Sequence, residues 1–190
     1  MDEPYVIAIL VGTTRERRES IKAARYVAQF GETLPNVEIV FVDPKDFHFA
    51  GDGNDQEGKD PRYSEITAKA DGFFIITPEY NHSFSGSLKR MLDSESKNYV
   101  HKALALAGVS NGGWGGVRAV EALVGPVREM GLVVTYANLY FPRVQDIFDD
   151  QGKMRPEYTE RYERNLHDAY YELLFLARAL RWARLNEQKR

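Results

Sequence analysis

Residues 77–86 have the sequence TPEYNHSFSG, and this stretch decides the fold. It follows the apolar run of residues 72–76, whose length is typical of a strand buried on both faces. Apolar residues at helical spacing begin again at Leu88, and Ser85 or Ser87 is available to cap that helix. The stretch is therefore predicted to connect a buried strand to a helix at the strand's carboxyl end, where open α/β sheets bind ligands.

The loop within this stretch is conformationally restricted. Pro78 fixes its own φ and removes a donor, Asn81 tolerates a left-handed turn, and Gly86 allows another backbone or a ligand to come close. Such a loop can hold its N–H and C=O groups in place for the edge of a flat polar ring. Glu79 could act as a general base or bond within the loop, and Tyr80 could pack as core, although its position favours stacking on a ring.

Apolar runs alternate with helical patterns along the chain, which predicts a three-layer α/β sandwich with right-handed connections. The fold class is a doubly wound, five-stranded parallel sheet of order 2-1-3-4-5. A long surface loop is expected over about residues 50–62, followed by a helix over residues 64–70. The predicted strands cover residues 5–11, 37–42, 72–77, 103–109 and 132–141.

Helix ends and interruptions also have sequence signals. Gly31 is expected to end the first helix, and Pro126 to kink or break the helix after the fourth strand. The final helix, about residues 156–186, carries one apolar stripe and a second one made of Tyr171, Phe175 and Trp182. Two interpretations of the second stripe remain open: a neighbouring loop covers part of it, or it forms a subunit interface.

The composition indicates one globular domain over residues 1–190. A net charge of -3 gives no general attraction for nucleic acid or anionic membranes. The chain has no cysteine, which excludes disulfides, thiolate nucleophiles and iron–sulfur clusters, so any redox function needs a bound cofactor. No apolar run approaches the roughly 18 residues of a membrane span. The N-terminus is acidic rather than signal-like, so a cytoplasmic protein is expected.

Residues 12–20 form a predicted anion site, because they lead into a helix N-terminus with free N–H groups and the positive end of the helix dipole. They match neither GxxxxGK[ST] nor GxGxxG, which favours a single terminal phosphate over a triphosphate or pyrophosphate. The alternative is a solvated charged turn in which Glu16 and Glu19 pair the arginines locally. The hydroxyl and guanidinium groups of this segment belong to Thr13, Thr14, Ser20, Arg15, Arg17 and Arg18.

Residues 110–116 contain four glycines, which leave backbone amides uncovered by side chains. Such amides can donate to a carbonyl oxygen or ring nitrogen that gains negative charge, although a tight turn could also need the glycines for its geometry alone. Residues 108–112 also match GxSxG, and Asp146 and His167 follow Ser110 in serine-hydrolase order. The context disfavours that class, because no helix starts at once after Ser110 and His167 is expected to be buried.

The four histidines are scattered and have no carboxylate partner at metal spacing, so no metal site is predicted. His82 alone lies in a predicted site loop. It could lie near a ligand or be a surface residue on a turn.

Together these segments resemble the NAD(P)H-dependent FMN reductase family of flavodoxin-like proteins, which includes quinone, chromate and azo-dye reductases. Residues 77–93 are similar to its TPEYN-x-S-x-x-G-x-LKN-x-[IL]D signature, and residues 12–15 to its GS-x-R phosphate loop. Residues 110–119 resemble its third, glycine-rich loop, which is followed by Gly-x-Arg-Ala.

The resemblance implies an FMN-dependent oxidoreductase that takes electrons from NADPH or NADH and passes them to a quinone, free flavin or similar small acceptor. It implies no catalytic side chain, because the chemistry takes place on N5 of FMN. A homodimer or homotetramer is expected. The FMN phosphate is expected on Thr13, Arg15, Arg18 and Ser20, the ring edge on the backbone of Pro78, Glu79, Tyr80 and Asn81, and the N1/O2 side on Ser110, Asn111, Gly112 and Gly113.

Two other functions are kept as alternatives. One is a flavodoxin-like electron carrier that does not turn over nicotinamide nucleotides. The other is a serine hydrolase that uses Ser110 as its nucleophile.

Overall fold

A parallel sheet forms the centre of the computed structural model, which describes residues 3–53, 55 and 58–187. Its strand order is β2-β1-β3-β4-β5, with β6 also paired to β4, so the predicted order is confirmed. The strands are β1 (Tyr5–Val11), β2 (Val37–Val42), β3 (Gly72–Pro78), β4 (Lys102–Val109), β5 (Leu132–Val134) and β6 (Leu139–Phe141). The helices are α1 (Ser20–Glu32), α2 (Pro61–Lys69), α3 (Gly86–Asp93), α4 (Val117–Glu129), α5 (Val144–Ile147) and α6 (Pro156–Asn186).

Alternate residues of the central strands enter two different cores, which confirms the three-layer sandwich. Ile7, Ile9 and Phe74 pack with α1 and α6 on one face of the sheet. Leu10 and Phe73 pack with α2, α3 and α4 on the other face. Because β1, β3 and β4 are apolar on both faces, they can form only the centre of a covered sheet.

The prediction of one continuous strand over residues 132–141 is wrong. β5 pairs with the start of β4, where Val134 lies opposite Leu104, and β6 pairs with its end, where Leu139 lies opposite Ala107. Residues 105–106 of β4 therefore face residues 135–138, which form a bulge with two extra residues. The aromatic and β-branched residues of this segment favour extended backbone, but they carry no signal for a break in pairing.

Three helix predictions are also corrected. Gly31 lies inside α1, which continues to Glu32. The helix expected over residues 64–70 begins at Pro61, where the Asp60 side chain accepts from the N–H of Arg62 and caps it. The surface loop before it is correspondingly shorter, and three of its residues (54, 56 and 57) lie outside the described ranges. α4 continues through Pro126, so the expected break is absent, and a kink at this position stays a prediction.

The second stripe of α6 is exposed. Tyr171 is 62% exposed, Phe175 59% and Trp182 62%, which counts against the interpretation that a neighbouring loop covers part of the stripe. In the described ranges, no helix combines the length and apolar character that a bilayer crossing needs.

Replacing Gly31 by alanine is expected to lower the free energy of unfolding by about 1–3 kcal/mol through overpacking. A Cβ at this position would lie 2.4 Å from the Tyr170 hydroxyl oxygen and 2.6 Å from Ile39 Cδ1. The Tyr170 hydroxyl donates to the Val27 carbonyl at 2.9 Å, so moving it would also break that hydrogen bond. Urea denaturation measures the change.

Gly86→Ala is the matched control, because a Cβ there would meet no atom within 4 Å. An equal loss of stability in the two variants would contradict this account of Gly31.

Candidate active site

The loops after β1, β3 and β4 meet at one edge of the sheet and enclose a cavity of about 440 Å³. This is the edge at which carboxyl ends of parallel strands bind ligands. Ten of the twelve predicted site residues line the cavity, whereas Thr13 and Gly113 do not. The lining residues are Arg15, Arg17, Arg18, Glu19, Ser20, Pro78, Glu79, Tyr80, Asn81, His82, Val109, Ser110, Asn111, Gly112, Trp114, Arg118 and Val144.

Backbone hydrogen bonds tie each loop to the neighbouring strand. The N–H of Gly12 donates to the carbonyl of Ile76 at 2.8 Å, and the N–H of Glu79 donates to the carbonyl of Val109 at 3.0 Å. A Cβ at Gly12 would lie 2.7 Å from the Ile76 carbonyl oxygen, so this approach needs a glycine. The Ser85 side chain, which caps α3 as predicted, donates to the carbonyl of Gly12 at 2.5 Å.

Arg18 is engaged inside the first loop. Its guanidinium donates to the carbonyl of Thr13 at 2.7 Å and forms an ion pair with Asp43, and only 9% of its side chain is exposed. These contacts count against Arg18 as a direct phosphate ligand. No contact with a phosphate is present to test that predicted role. They give it a positioning role, because it fixes the loop against the end of β2.

The interpretation that Glu16 and Glu19 neutralise the loop arginines is wrong. Glu16 pairs with Lys45 at 2.7 Å and Glu19 with Lys22 at 2.7 Å. The hydrogen bond from Lys45 lowers the pKa of Glu16. Within the described ranges, Arg15 and Arg17 form no ion pair, although both line the cavity. Two guanidinium groups are therefore available to an anion there.

The start of α1 also carries unsatisfied groups. No side chain caps the helix at Glu19. The Ser20 hydroxyl is buried, and no partner for it is found in the part of the chain that the structure describes. A buried hydroxyl at a helix N-terminus without a partner is costly unless a ligand supplies one.

Thr13 and Tyr80 join the first and second loops. Their hydroxyl oxygens lie 3.0 Å apart, and the Thr13 hydroxyl also accepts from the N–H of Arg15 at 3.2 Å. The Arg15 guanidinium lies 5.9 Å from the Tyr80 ring centroid. The hydroxyl of Thr13 is therefore used within the protein, and whether the Tyr80 ring stacks on a ligand stays a prediction.

The second loop closes in a tight turn from Tyr80 to Ser83. The N–H of each of these residues donates to the other's carbonyl, at 2.8 and 3.0 Å. Asn81 has φ 50° and His82 φ 65°, so the left-handed turn predicted at Asn81 includes His82 as well. Pro78 lacks an N–H and those of Glu79 and Tyr80 are bonded within the protein, so these three residues offer a ligand no free N–H.

Glu79 forms an ion pair rather than standing free as a base. Its Oε1 accepts from Arg118 Nη1 at 3.2 Å, its Oε2 accepts from the Arg118 N–H at 3.3 Å, and 10% of its side chain is exposed. The Arg118 guanidinium also lies 5.3 Å from the ring centroid of Trp114. This arrangement supports the interpretation that Glu79 bonds within the site's framework.

The glycines of the third loop have two roles. Gly115 and Gly116 have φ of 65° and 84°, and a Cβ at Gly116 would lie 2.4 Å from the Val109 nitrogen. These two glycines are needed for the chain path. A Cβ at Gly112 would meet no atom within 4 Å, so its backbone is open to the cavity that it lines.

The three residues of the suggested hydrolase triad do not bond to one another. The Ser110 hydroxyl donates to the carbonyl of Gly112 at 2.9 Å, and α4 starts only at Val117. His167 was expected to be buried, but its side chain is 72% exposed on α6. No imidazole or carboxylate among the described residues bonds to Ser110, so the GxSxG match is a loop sequence without the hydrolase context.

Sequence reasoning about the cavity missed Val109, Trp114 and Val144, and it considered Glu19 only as a partner of the loop arginines. Arg118 was noticed only as part of a motif and not as a wall of the site. A signal for Trp114 existed, because a large aromatic residue between glycines of an exposed loop is unusual for a purely structural turn.

Comparison with known proteins gives a consistent result. The family described as NADPH-dependent FMN reductase matches residues 5–145. An NADPH azoreductase of Bacillus sp. (strain OY1-2) is 29% identical over 170 residues, which cover 88% of this chain and 89% of that protein. A quinone reductase of Pseudomonas putida is 26% identical over 165 residues, covering 81% and 87%. The structure of FerB, a flavoenzyme NAD(P)H:(acceptor) oxidoreductase from Paracoccus denitrificans, has the same fold, with a TM-score of 0.74, 18% identity and coverage of 92% and 98%.

Arg18→Ala is expected to lower the unfolding free energy of the flavin-free protein by about 3 kcal/mol, because the largely buried Asp43 carboxylate loses its partner. Arg17→Ala is the matched control and should change it by less than about 0.5 kcal/mol, since Arg17 is exposed. Chemical denaturation of both variants measures the difference. Equal losses would show that the contact with Asp43 does not hold the loop.

Proposed function

This chain belongs to the NADPH-dependent FMN reductase family, and on that premise we propose that it passes electrons from a nicotinamide nucleotide through FMN to a quinone or similar small acceptor. The family match confirms the resemblance drawn from the motifs. It also confirms the enzyme class and the predicted cofactors, FMN with NADPH or NADH as the donor. The acceptor, the site residues, the oligomer and the location in the cell are the parts that we propose.

The residues present fit FMN on three counts. The buried Ser20 hydroxyl lacks a partner in the described chain, and Arg15 and Arg17 line the same cavity without a carboxylate partner there. Gly112 lies in the loop after β4, which the strand order separates from the first loop by β3, and its backbone is open. A site for an anion in one part of the cavity and a site for a polar ring edge in another match the phosphate and the ring of FMN.

We assign the phosphate to Arg15, Arg17, Ser20 and the first N–H groups of α1, where the helix dipole favours an anion. Thr13 and Arg18 stabilise this loop through hydrogen bonds within it: Thr13 accepts from the N–H of Arg15, and Arg18 donates to the carbonyl of Thr13. The ring edge would meet the backbone of Pro78, Glu79, Tyr80 and Asn81, and the N1/O2 side that of Ser110, Asn111, Gly112 and Gly113. Compared with the predicted phosphate set, these assignments add Arg17 and give Thr13 and Arg18 supporting roles.

The chemistry that FMN supplies when bound is transfer of two electrons from a reduced nicotinamide nucleotide to a second acceptor. The chain's own residues would bind the cofactor and orient the substrates. Amides of the third loop would stabilise negative charge that develops on the ring edge, and Glu79 holds Arg118 rather than standing free as a base. No side chain has to take part covalently.

An enzyme is favoured over an electron carrier because the relatives that match along most of their length are named for reductase activities toward azo compounds and quinones. A single FMN-binding domain over residues 1–190 and a cytoplasmic location complete the proposal. The proposed location fits a chain without cysteine.

The decisive experiment is the visible spectrum of the purified protein before and after anaerobic NADPH. A yellow protein that bleaches with NADPH and recovers its colour with a stoichiometric quinone supports the proposal. Bleaching by dithionite alone would favour the electron carrier. A colourless protein that takes up no added FMN would reject both.

We further propose that α6 pairs with α6 of a second copy. Tyr171, Phe175, Arg178, Trp182 and Leu185 follow one another at alternating spacings of four and three residues, which keeps them on one side of the helix. The four apolar members are each more than half exposed. A second copy presents the same stripe, and two such stripes would bury on the order of 1,000 Å², near the lower limit for a stable dimer.

Phe175→Asp is expected to convert the dimer to a monomer, because it puts a charge inside the apolar contact between the paired stripes. Analytical ultracentrifugation measures the mass. Tyr136→Asp is the matched control, since Tyr136 is 83% exposed but lies in the bulge between β5 and β6. A monomeric wild type, or a dimeric Phe175→Asp variant, would overturn the pairing.

Arg15→Ala is expected to weaken FMN binding by about 1.5–3 kcal/mol, the range for a hydrogen bond to a charged group. Titration of the flavin-free protein, followed by quenching of FMN fluorescence, gives the affinity. Arg25→Ala on the exposed side of α1 is the control and should leave it unchanged. Unchanged affinity in Arg15→Ala would remove Arg15 from the site.

A further inference from the structure

Trp114 is the least expected residue of the cavity wall. Its side chain is 65% exposed, although it lies among residues that line a cavity. An exposed tryptophan beside a binding cavity is typical of a surface that meets a ligand.

The Trp114 side chain has a defined support on one face. The Arg118 guanidinium lies 5.3 Å from the centre of its ring, and Glu79 holds that guanidinium at 3.2 Å. Glu79 is itself fixed by the hydrogen bond of its N–H to the carbonyl of Val109. A chain of contacts therefore runs from β4 through Glu79 and Arg118 to the indole.

The backbone around Trp114 is restricted as well. The N–H of Val117 donates to the carbonyl of Trp114 at 3.3 Å across Gly115 and Gly116, both of which have positive φ. This turn directs the chain into α4 and sets the position from which the indole projects. Because the backbone and one ring face are already fixed, little freedom is lost when a second ring packs on the other face.

We propose that Trp114 is the stacking platform for the planar aromatic electron acceptor, with Arg118 and Glu79 as its positioning residues. The inference rests on the proposed function and names the residue that selects flat conjugated rings over compact acceptors. An electron-rich indole stacks well on an electron-poor quinone ring. Reduction of the flavin by the nicotinamide nucleotide is common to every acceptor, so a change in acceptor preference reports the contact with the acceptor.

The first test compares two acceptors on the FMN-loaded enzyme. 1,4-Naphthoquinone has a flat conjugated ring, whereas ferricyanide is a compact anion without one. Trp114→Ala should lower the ratio of kcat/KM for naphthoquinone to that for ferricyanide about tenfold, which is the size of one aromatic stacking contact. Trp114→Phe should restore most of the ratio and Trp114→Leu should not. An unchanged ratio in Trp114→Ala, or equal restoration by leucine, overturns the proposal.

The second test does not depend on turnover. The chain has two tryptophans, so Trp182→Phe leaves Trp114 as the only one, and Trp114→Phe leaves Trp182. Naphthoquinone should quench Trp114 fluorescence of the FMN-loaded protein along a saturating curve and Trp182 fluorescence along a linear, collisional one. Adding Arg118→Met to the Trp182→Phe protein should weaken the saturating phase several-fold. Linear quenching of Trp114 overturns the proposal.

The outcomes separate this inference from the function on which it rests. If NADPH reduces ferricyanide through the enzyme but Trp114 variants show no acceptor preference, the platform fails and the proposed function stands. If NADPH does not reduce the bound flavin at all, the proposed function fails, and saturable quenching of Trp114 would still report a site for flat rings.

Discussion

The site depends on hydrogen bonding that continues beyond the ends of the parallel strands. Gly12 bonds to Ile76, Glu79 to Val109, and Ser110 to Phe141, so each loop begins in register with the strand beside it. A backbone held in this way cannot move independently of the sheet. The three loops therefore present their polar groups from fixed positions, and a ligand that binds there meets a preorganised surface.

The charges of the first loop illustrate how packing distributes roles among similar side chains. Arg18 forms an ion pair with Asp43 and stabilises the loop, whereas lysines form ion pairs with the nearby glutamates. Arg15 and Arg17 consequently keep their charge available to the cavity. The anion site is a property of the whole pairing pattern, because the sequence alone does not distinguish Arg17, which has no ion pair among the described residues, from Arg18, which is paired.

Local signals in the sequence were sufficient to predict the main strand order and the loops that form the site. Apolar runs marked the buried strands, and the residue types before the helical pattern offered Ser85 or Ser87 as the cap, of which the structure uses Ser85. The bulge between β5 and β6 could not be predicted in this way, because it depends on how far β4 extends beside both strands. Likewise, the contacts from Arg18 to Asp43 and from Arg118 to Glu79 join residues far apart in sequence. The exposure of His167 was missed because its helix buries one stripe, and His167 lies outside it.

The central claim is that the start of α1 holds the phosphate of the flavin. The most direct measurement compares the affinity of the flavin-free protein for FMN and for riboflavin, which differ only in that phosphate. We predict that FMN binds at least roughly 100-fold more tightly, since two or more charge-assisted hydrogen bonds would be lost with riboflavin. Equal affinities for the two flavins would contradict the account.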